Sequence, residues 1–163
     1  MVELKKYQLN AIYEIVNSIQ LNKITDSKIR KTVLKLVLEI PKSITEFQKD
    51  ISDTRTKFLE GFKTEDLTAF QAELNELAEL SRKQDTKAAL EKDHEIAKNF
   101  PEITSAFVKL NESLNNLQNE TVELNVEKVN MDEFIDALVG LDANITAKEL
   151  NILDPLFEHE TTD

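Results

Sequence analysis

A long heptad-like pattern of apolar residues limits this chain to a helical fold. From Val33 to Phe58, seam positions recur in alternating steps of four and three residues. This spacing places the side chains on one stripe of a helix and is typical of a coiled-coil seam. The seam consists of Val33, Val37, Ile40, Ile44, Phe47, Ile51, Thr54 and Phe58. We predict a long helix capped by Asp26 or Ser27, with a kink or short break at Pro41.

Weaker periodic patterns predict further helices around the long one. An amphipathic helix is expected over residues 4–20. A third helical segment is expected over residues 64–98. Its apolar period weakens towards the distal part, which is therefore expected to pack loosely or bend. A fourth helix begins at Pro101. The short connection around Gly61 favours antiparallel packing of the second and third segments, as a helical hairpin over residues 27–98.

The period changes from that of a helix to that of a strand after residue 119. Apolar and polar residues alternate over residues 121–127, which predicts a half-buried strand, and the alternating segment 19–24 is its predicted partner. Capping boxes that begin at Asn130 and Thr146 predict two short helices. The predicted fold class is therefore mainly α: a long antiparallel helical hairpin within a helix bundle, and a small C-terminal α subdomain with one short β pairing.

The length of the chain favours a single domain. A chain of 163 residues can bury roughly 70% of its unfolded surface without a disulfide or a metal. We predict one domain over residues 1–163. Within it, residues 1–119 form the helical bundle, residues 120–158 form the C-terminal strand and helices, and residues 159–163 form a frayed tail.

Charge is distributed unevenly along the chain. Residues 1–60 carry 11 Lys and Arg against 8 Asp and Glu, whereas residues 61–163 carry 9 against 23, and the net charge is −11. The acidic part would repel phosphate backbones, which argues against nucleic acid as a partner. No segment reaches the roughly 18 apolar residues of a membrane span or has the features of a secretory signal. We expect an acidic, soluble, cytoplasmic protein.

Motifs for catalysis or metal binding are not found. The absence of cysteine excludes thiolate zinc sites and thiol nucleophiles. His94-Glu95 lacks the second histidine of a zinc-protease motif, because Lys98 stands in its place. A loop beginning at Asp142 starts like a calcium loop but has Leu153, not glutamate, at its twelfth position. We predict no catalytic residue, no metal and no cofactor.

A row of basic residues on the long helix is the candidate interaction site. Four of its lysines are spaced by seven residues, so they form a ridge opposite the seam. This basic ridge consists of Lys28, Arg30, Lys31, Lys35, Lys42 and Lys49. One interpretation is that the ridge docks an acidic partner, such as the acidic C-terminal part of another copy. The other, which we prefer, is a solvated face rich in lysine, a good helix former.

Two leucines beside the seam widen the apolar face of the same helix. Leu34 and Leu38 each follow a seam position by one residue. A wider apolar face suits a helix that contacts more than one neighbour. The seam itself could close within the chain as a bundle or between chains as an oligomer, and the short connections favour the first.

The order of these features resembles a known group of proteins. The segments Lys6-Tyr7-Gln8-Leu9 and Ser27-Lys28-Ile29-Arg30-Lys31-Thr32, a charged helical middle, Glu120-Thr121-Val122-Glu123-Leu124 and two short closing helices are similar to a family of small uncharacterised acidic proteins of tailed bacteriophages and prophages. The resemblance covers the two ends of the chain and includes no catalytic motif. It implies a phage or prophage origin and assigns no site.

These observations favour a function in protein binding. We expect a non-enzymatic binding or assembly protein whose partner is another protein or a second copy of itself. Two alternatives stay open at this point. One is a homo-oligomeric structural coiled-coil protein, and the other is a small hydrolase that uses clustered carboxylates or a metal.

Overall fold

The computed structural model describes residues 1–139 and 145–159. Its elements are, in chain order, β1 (Val2–Lys5), α1 (Leu9–Ser18), α2 (Ser27–Leu59), α3 (Thr64–Arg82), α4 (Thr86–Asn99), α5 (Pro101–Asn119), β2 (Thr121–Leu124), α6 (Met131–Leu138) and α7 (Ala147–Leu153). Short 3-10 turns lie at Lys6–Gln8, Leu21–Lys23 and Asp154–Leu156. The mainly α fold with a short antiparallel β pairing is confirmed.

The chain groups into two compact units. The first unit combines Met1–Asp50 with Leu117–Asp163, and the second unit is Ile51–Asn116. The first unit is therefore discontinuous in sequence. Its C-terminal part begins at Leu117, close to the predicted boundary at residue 119. The organisation as a single domain stays a prediction.

The core of the first unit forms around the N-terminal half of α2. Ile29, Val33, Leu36 and Ile40 recur at steps of three and four, so they share one face of the helix, and all four are fully buried. The same core includes Leu9, Ile12 and Val16 of α1, Val2, Leu4 and Leu124 of the sheet, and Phe134, Leu153, Leu156 and Phe157 near the C-terminus. Every residue of the predicted seam is buried or half-buried, so the seam is confirmed as the inner stripe of α2.

The sheet pairs the two chain segments of the first unit. β1 and β2 are antiparallel, with Val2 opposite Leu124 and Leu4 opposite Val122. Lys6 N–H extends the ladder by donating to Glu120 O at 3.0 Å. The predicted partner of β2, residues 19–24, is therefore wrong.

Two corrections at the N-terminus have the same physical cause. The predicted helix over residues 4–20 begins only at Leu9, and the segment predicted as a strand contains a 3-10 turn at Leu21–Lys23. A strand as short as β1 has only two inward positions, Val2 and Leu4. Two apolar residues do not define a period, so the choice between strand and helix depends on the pairing partner far away in sequence.

Helix α2 passes through Pro41 without a break. The missing N–H and the ring of an interior proline cost about 3 kcal/mol. The turns on either side bury Ile40 and Phe47, and a fully buried side chain of this size contributes about 1.5–3 kcal/mol. Packing of these turns therefore outweighs the cost of the proline, and the predicted break does not form.

The second unit is built around an aromatic cluster. Phe70, Ile96 and Ile103 form its buried centre. The Phe70 ring centroid lies 5.7 Å from that of Phe100 and 4.8 Å from that of Phe107, within the range of favourable aromatic pairs. The unit therefore has an apolar core of its own.

The predicted third segment is two helices, because the chain reverses after α3. Gln84 N–H donates to Ser81 O at 3.1 Å. Asp85 N–H donates to Leu80 O at 3.2 Å, which completes a Schellman turn. Gln84 has a φ of 58°, a conformation that favours glycine. Asp85 then caps α4 by accepting from Ala88 N–H.

The two C-terminal helices begin at the predicted caps. Asn130 Oδ1 accepts from the N–H groups of Asp132 and Glu133 at 2.9 and 3.1 Å. Thr146 and Glu149 form a reciprocal capping box, with Thr146 N–H donating to Glu149 Oε2 at 2.7 Å. The bonds from the backbone and hydroxyl of Thr146 lower the pKa of Glu149. Each helix start is thus determined by local hydrogen bonds.

Two separate leucine-to-alanine substitutions on α2 test which face of the helix packs into the core. Leu36 is 0% exposed and Leu38 is 58% exposed. We expect Leu36→Ala to lower the free energy of unfolding by about 2–5 kcal/mol, because it leaves a cavity. Leu38→Ala is the matched control and should change it by less than about 0.5 kcal/mol. Urea denaturation measures both, and equal losses would contradict the assignment of faces.

A substitution at the turn between α3 and α4 tests its strain. Gln84→Gly should raise the free energy of unfolding by roughly 1 kcal/mol, because glycine adopts a positive φ without the steric cost of a side chain. Gln71→Gly, in the interior of α3, is the control and should destabilise by about 1 kcal/mol. Thermal or urea denaturation measures the stability of both variants. A loss of stability in both would contradict the proposed strain at Gln84.

Candidate interaction surface

The structure places the basic ridge on α2 in the first unit, but its members differ in their surroundings. Lys28 Nζ lies 3.7 Å from Glu133 Oε2. Lys35 is half-buried and its Nζ donates to Asn125 O at 3.2 Å. These two lysines therefore lie against the C-terminal part of their own chain, and the prediction that the whole ridge faces solvent is wrong for Lys35.

The other four ridge residues are exposed. Arg30, Lys31, Lys42 and Lys49 make no ion pair with any of the described residues. Their guanidinium and ammonium groups are therefore free for a ligand outside the chain.

Two exposed leucines lie among these cations. Leu34 is 45% exposed and Leu38 is 58% exposed. Because residues four apart are neighbours on a helix, Arg30 precedes Leu34 and Lys42 follows Leu38 along one line. A surface groove beside them is lined by Leu21, Asn22, Ser27, Arg30, Lys31 and Leu34. We call the set Arg30, Lys31, Leu34, Leu38 and Lys42 the α2 patch.

The α2 patch combines an apolar centre with a basic rim. Apolar contact area contributes binding energy, whereas charges at a rim mainly orient a partner and speed its approach. The sequence predicts a second neighbour for Leu34 and Leu38, yet with all the described residues in place about half of each side chain stays exposed. The spacing of the cations marked them in the sequence. The two leucines were also marked there, but as residues that widen the apolar face beside the seam.

Lys6 is a largely buried cation at the centre of a separate cluster in the first unit. Its side chain is 13% exposed, and its Nζ lies 2.8 Å from both Asp50 Oδ2 and Glu120 Oε2. It also lies 5.7 Å from the centroid of the Phe47 ring. Burial lowers the pKa of Lys6, but the bonds to Asp50 and Glu120 outweigh it and raise the pKa overall. Lys6 is therefore a charged structural group at neutral pH, not a general base.

Lys92 forms a similar cluster in the second unit. Its Nζ on α4 lies 2.5 Å from Glu73 Oε2 and 2.7 Å from Glu76 Oε2 on α3. The hydrogen bonds to Glu73 and Glu76 raise the pKa of Lys92. This ammonium group also stays charged, and it joins α3 to α4.

The histidines and acidic residues show no arrangement for a metal within the described ranges. No group of three His, Asp or Glu side chains converges there. His94 is exposed on α4, and His159 Nε2 lies 3.4 Å from Asp154 Oδ2. The calcium-like loop at Asp142 lies outside the described residues. Across those same ranges, no helix has both the length and the apolarity that crossing a bilayer requires.

The Lys6 cluster leads to a pH-dependent prediction. Lys6→Met should lower the free energy of unfolding by about 1–3 kcal/mol near neutral pH, because it leaves two neighbouring carboxylates without their shared cation. Because folding raises the pKa of Lys6 above its ordinary 10.5, its contribution is complete below that pH and is lost as pH rises through the folded-state value.

Urea denaturation near neutral pH and at about pH 11 measures this contribution. The difference between wild type and Lys6→Met should shrink at the higher pH. Lys49→Met is the control, because Lys49 is exposed and forms no ion pair with a described residue. It should have little effect at either pH. A difference that stays constant with pH would contradict the role of the Lys6 charge.

Comparison with known proteins adds no relative to these observations. The chain matches no protein-family model, and it shows no significant similarity to a curated protein or to a solved structure. The resemblance to small phage proteins stays a prediction.

Proposed function

We propose that this chain is a non-enzymatic protein-binding or assembly protein that acts through the α2 patch. The observation that carries the proposal is the pair of exposed leucines, Leu34 and Leu38, beside cations that form no ion pair among the described residues. The proposal also places the protein in the cytoplasm, and it retains the phage or prophage origin implied by the family resemblance.

The leucines favour binding over a merely solvated face. A lysine-rich outer face needs no apolar residue, and the fold gains little from side chains that stay in water. Transfer of a leucine into an interface contributes about 1.5–3 kcal/mol when burial is complete. Cations at the edge of such a contact select an acidic partner and increase the association rate at low salt.

The charge clusters around Lys6 and Lys92 are better explained by a structural role than by catalysis. Lys6 and Lys92 are each held by two carboxylates, and both keep their protons at neutral pH. Neither group is a nucleophile in that state. The α2 patch is thus the better candidate for function.

Affinity capture tests the proposal. The tagged protein is incubated with lysate of the organism that encodes it, at low and at high salt, and bound proteins are identified by mass spectrometry. We expect a specific protein that is lost at high salt, because salt screens the charged rim. Reversal of the free cations, with Lys31, Lys42 and Lys49 each changed to Glu, should abolish its capture.

A matched variant controls for the change of net charge. Lys83→Glu with Lys98→Glu and Lys109→Glu reverses three exposed lysines of the second unit and should leave capture intact. Equal capture by wild type and by the α2 variant would contradict the proposal and leave the ridge as a solvated face. A melting temperature raised by calcium, magnesium, manganese or zinc would favour the metal-dependent alternative instead.

A further inference from the structure

A strip of residues at α6 repeats the spacing of four residues on α2, with the opposite charge. On α2, a basic, an apolar, a basic and an apolar residue follow one another at intervals of three, one and three positions. These residues are Lys31, Leu34, Lys35 and Leu38, which we call the α2 strip. At α6, Asp132, Ile135, Asp136 and Val139 have the same intervals, and we call them the α6 strip.

All four residues of the α6 strip are exposed. Ile135 is 36% exposed and Val139 is 73% exposed. Val139 follows α6 as its C-cap residue, with an extended backbone, and its N–H closes the last turn by donating to Ile135 O at 3.1 Å. Asp132 and Asp136 are exposed and form no ion pair within the described part of the chain. The core requires none of these four side chains, because α6 is anchored by Phe134 and Leu138.

The shared spacing makes the two strips suitable for helix-to-helix contact. Residues separated by three, four and seven positions lie on one helical stripe, so each strip presents two apolar side chains beside two charges of one sign. On contact, the aliphatic side chains would leave water together and the opposite charges would flank them. Lys35 already donates to Asn125 O, so Lys31 is the freer cation of the α2 strip.

Both strips belong to the first unit, and all of their residues except the half-buried Lys35 are exposed there. Within the described part of the chain, no hydrogen bond or ion pair joins a side chain of one strip to a side chain of the other. In a two-fold symmetric pair, a patch that meets its complement on the partner is met in return by the partner's patch. A second copy thus supplies complements for both strips at once.

We infer that this protein associates with a second copy of itself, the α2 strip of each copy binding the α6 strip of the other. The inference rests on the proposed function and names the partner. Two short strips form a small interface, of the class below about 1,200 Å² that is typical of transient contacts. The association is therefore concentration-dependent and weakened by salt.

Light scattering after size exclusion, together with sedimentation, tests the inference on the full chain. We expect a mass of 18.7 kDa at low concentration. The mass should rise to that of a dimer as concentration approaches roughly 1 mM at low salt, the range in which weak contacts form. Wild type that stays monomeric throughout this range overturns the inference.

Variants of the exposed apolar residues identify the surface. Leu34→Ser with Leu38→Ser should weaken dimerisation at least about tenfold, and Ile135→Ser with Val139→Ser should do the same. The matched control is Leu90→Ser with Val108→Ser, which changes two exposed apolar residues of the second unit. Thermal denaturation of each variant verifies that it folds. A dimer unaffected by the Leu34 and Leu38 changes overturns the inference.

Charge exchange tests the pairing itself. Lys31→Glu and Asp136→Lys should each weaken the dimer about tenfold, and the two changes combined in one chain should restore it, because each new charge then faces its opposite on the other copy. If the combined variant does not recover dimerisation, the pairing of the two strips is overturned.

The capture experiment separates this inference from the proposed function. A monomeric wild type that still captures another protein through the α2 patch would overturn the second copy as partner and leave the proposed function in place. A dimer that depends on both strips, together with the capture of no other protein, would support the inference and the proposed function. Self-assembly would then be the function.

Discussion

Burial of the inner face of α2 is the interaction on which the first unit depends. Ile29, Val33, Leu36 and Ile40 lie on this face, and each contributes about 1.5–3 kcal/mol when fully removed from water. That is a large contribution compared with the total stability of about 5–15 kcal/mol of an ordinary domain. The segments before α2 and after α5 both supply the apolar residues that cover it. The pairing of β1 with β2 and the Lys6 cluster follow from this convergence.

The same constraint explains where the proposed binding surface lies. A helix that buries one face in a core leaves its opposite face to solvent. The residues on that opposite face can be polar or apolar without changing the core. On α2 the free face carries Leu34 and Leu38 among cations, and on α6 it carries Ile135 and Val139 among carboxylates. The cores of both helices are satisfied without these residues. The proposed association would use these exposed side chains, which the cores do not need.

Local signals predicted much of the fold and only part of the candidate site. The seam of α2, the start of α5 at Pro101 and the capping box at Thr146 depend on residues within a few positions of one another, and all three are present. The turn at Gln84 escaped prediction because no glycine marks it, although Asp85 was a usable cap signal. The sequence revealed the spacing of the basic ridge. It did not reveal which of its cations bond within the chain and which form no ion pair among the described residues.

The sequence by itself determined that the chain is mainly helical, which stripe of α2 faces inwards and where several helices begin. These properties follow from the helical period and from hydrogen bonds between near neighbours. The tertiary structure decided that β1 pairs with β2, that Leu34 and Leu38 stay exposed among the described residues, and that Lys35 bonds to Asn125, 90 residues away. Such outcomes depend on which distant segments share a core, and no local pattern carries that information.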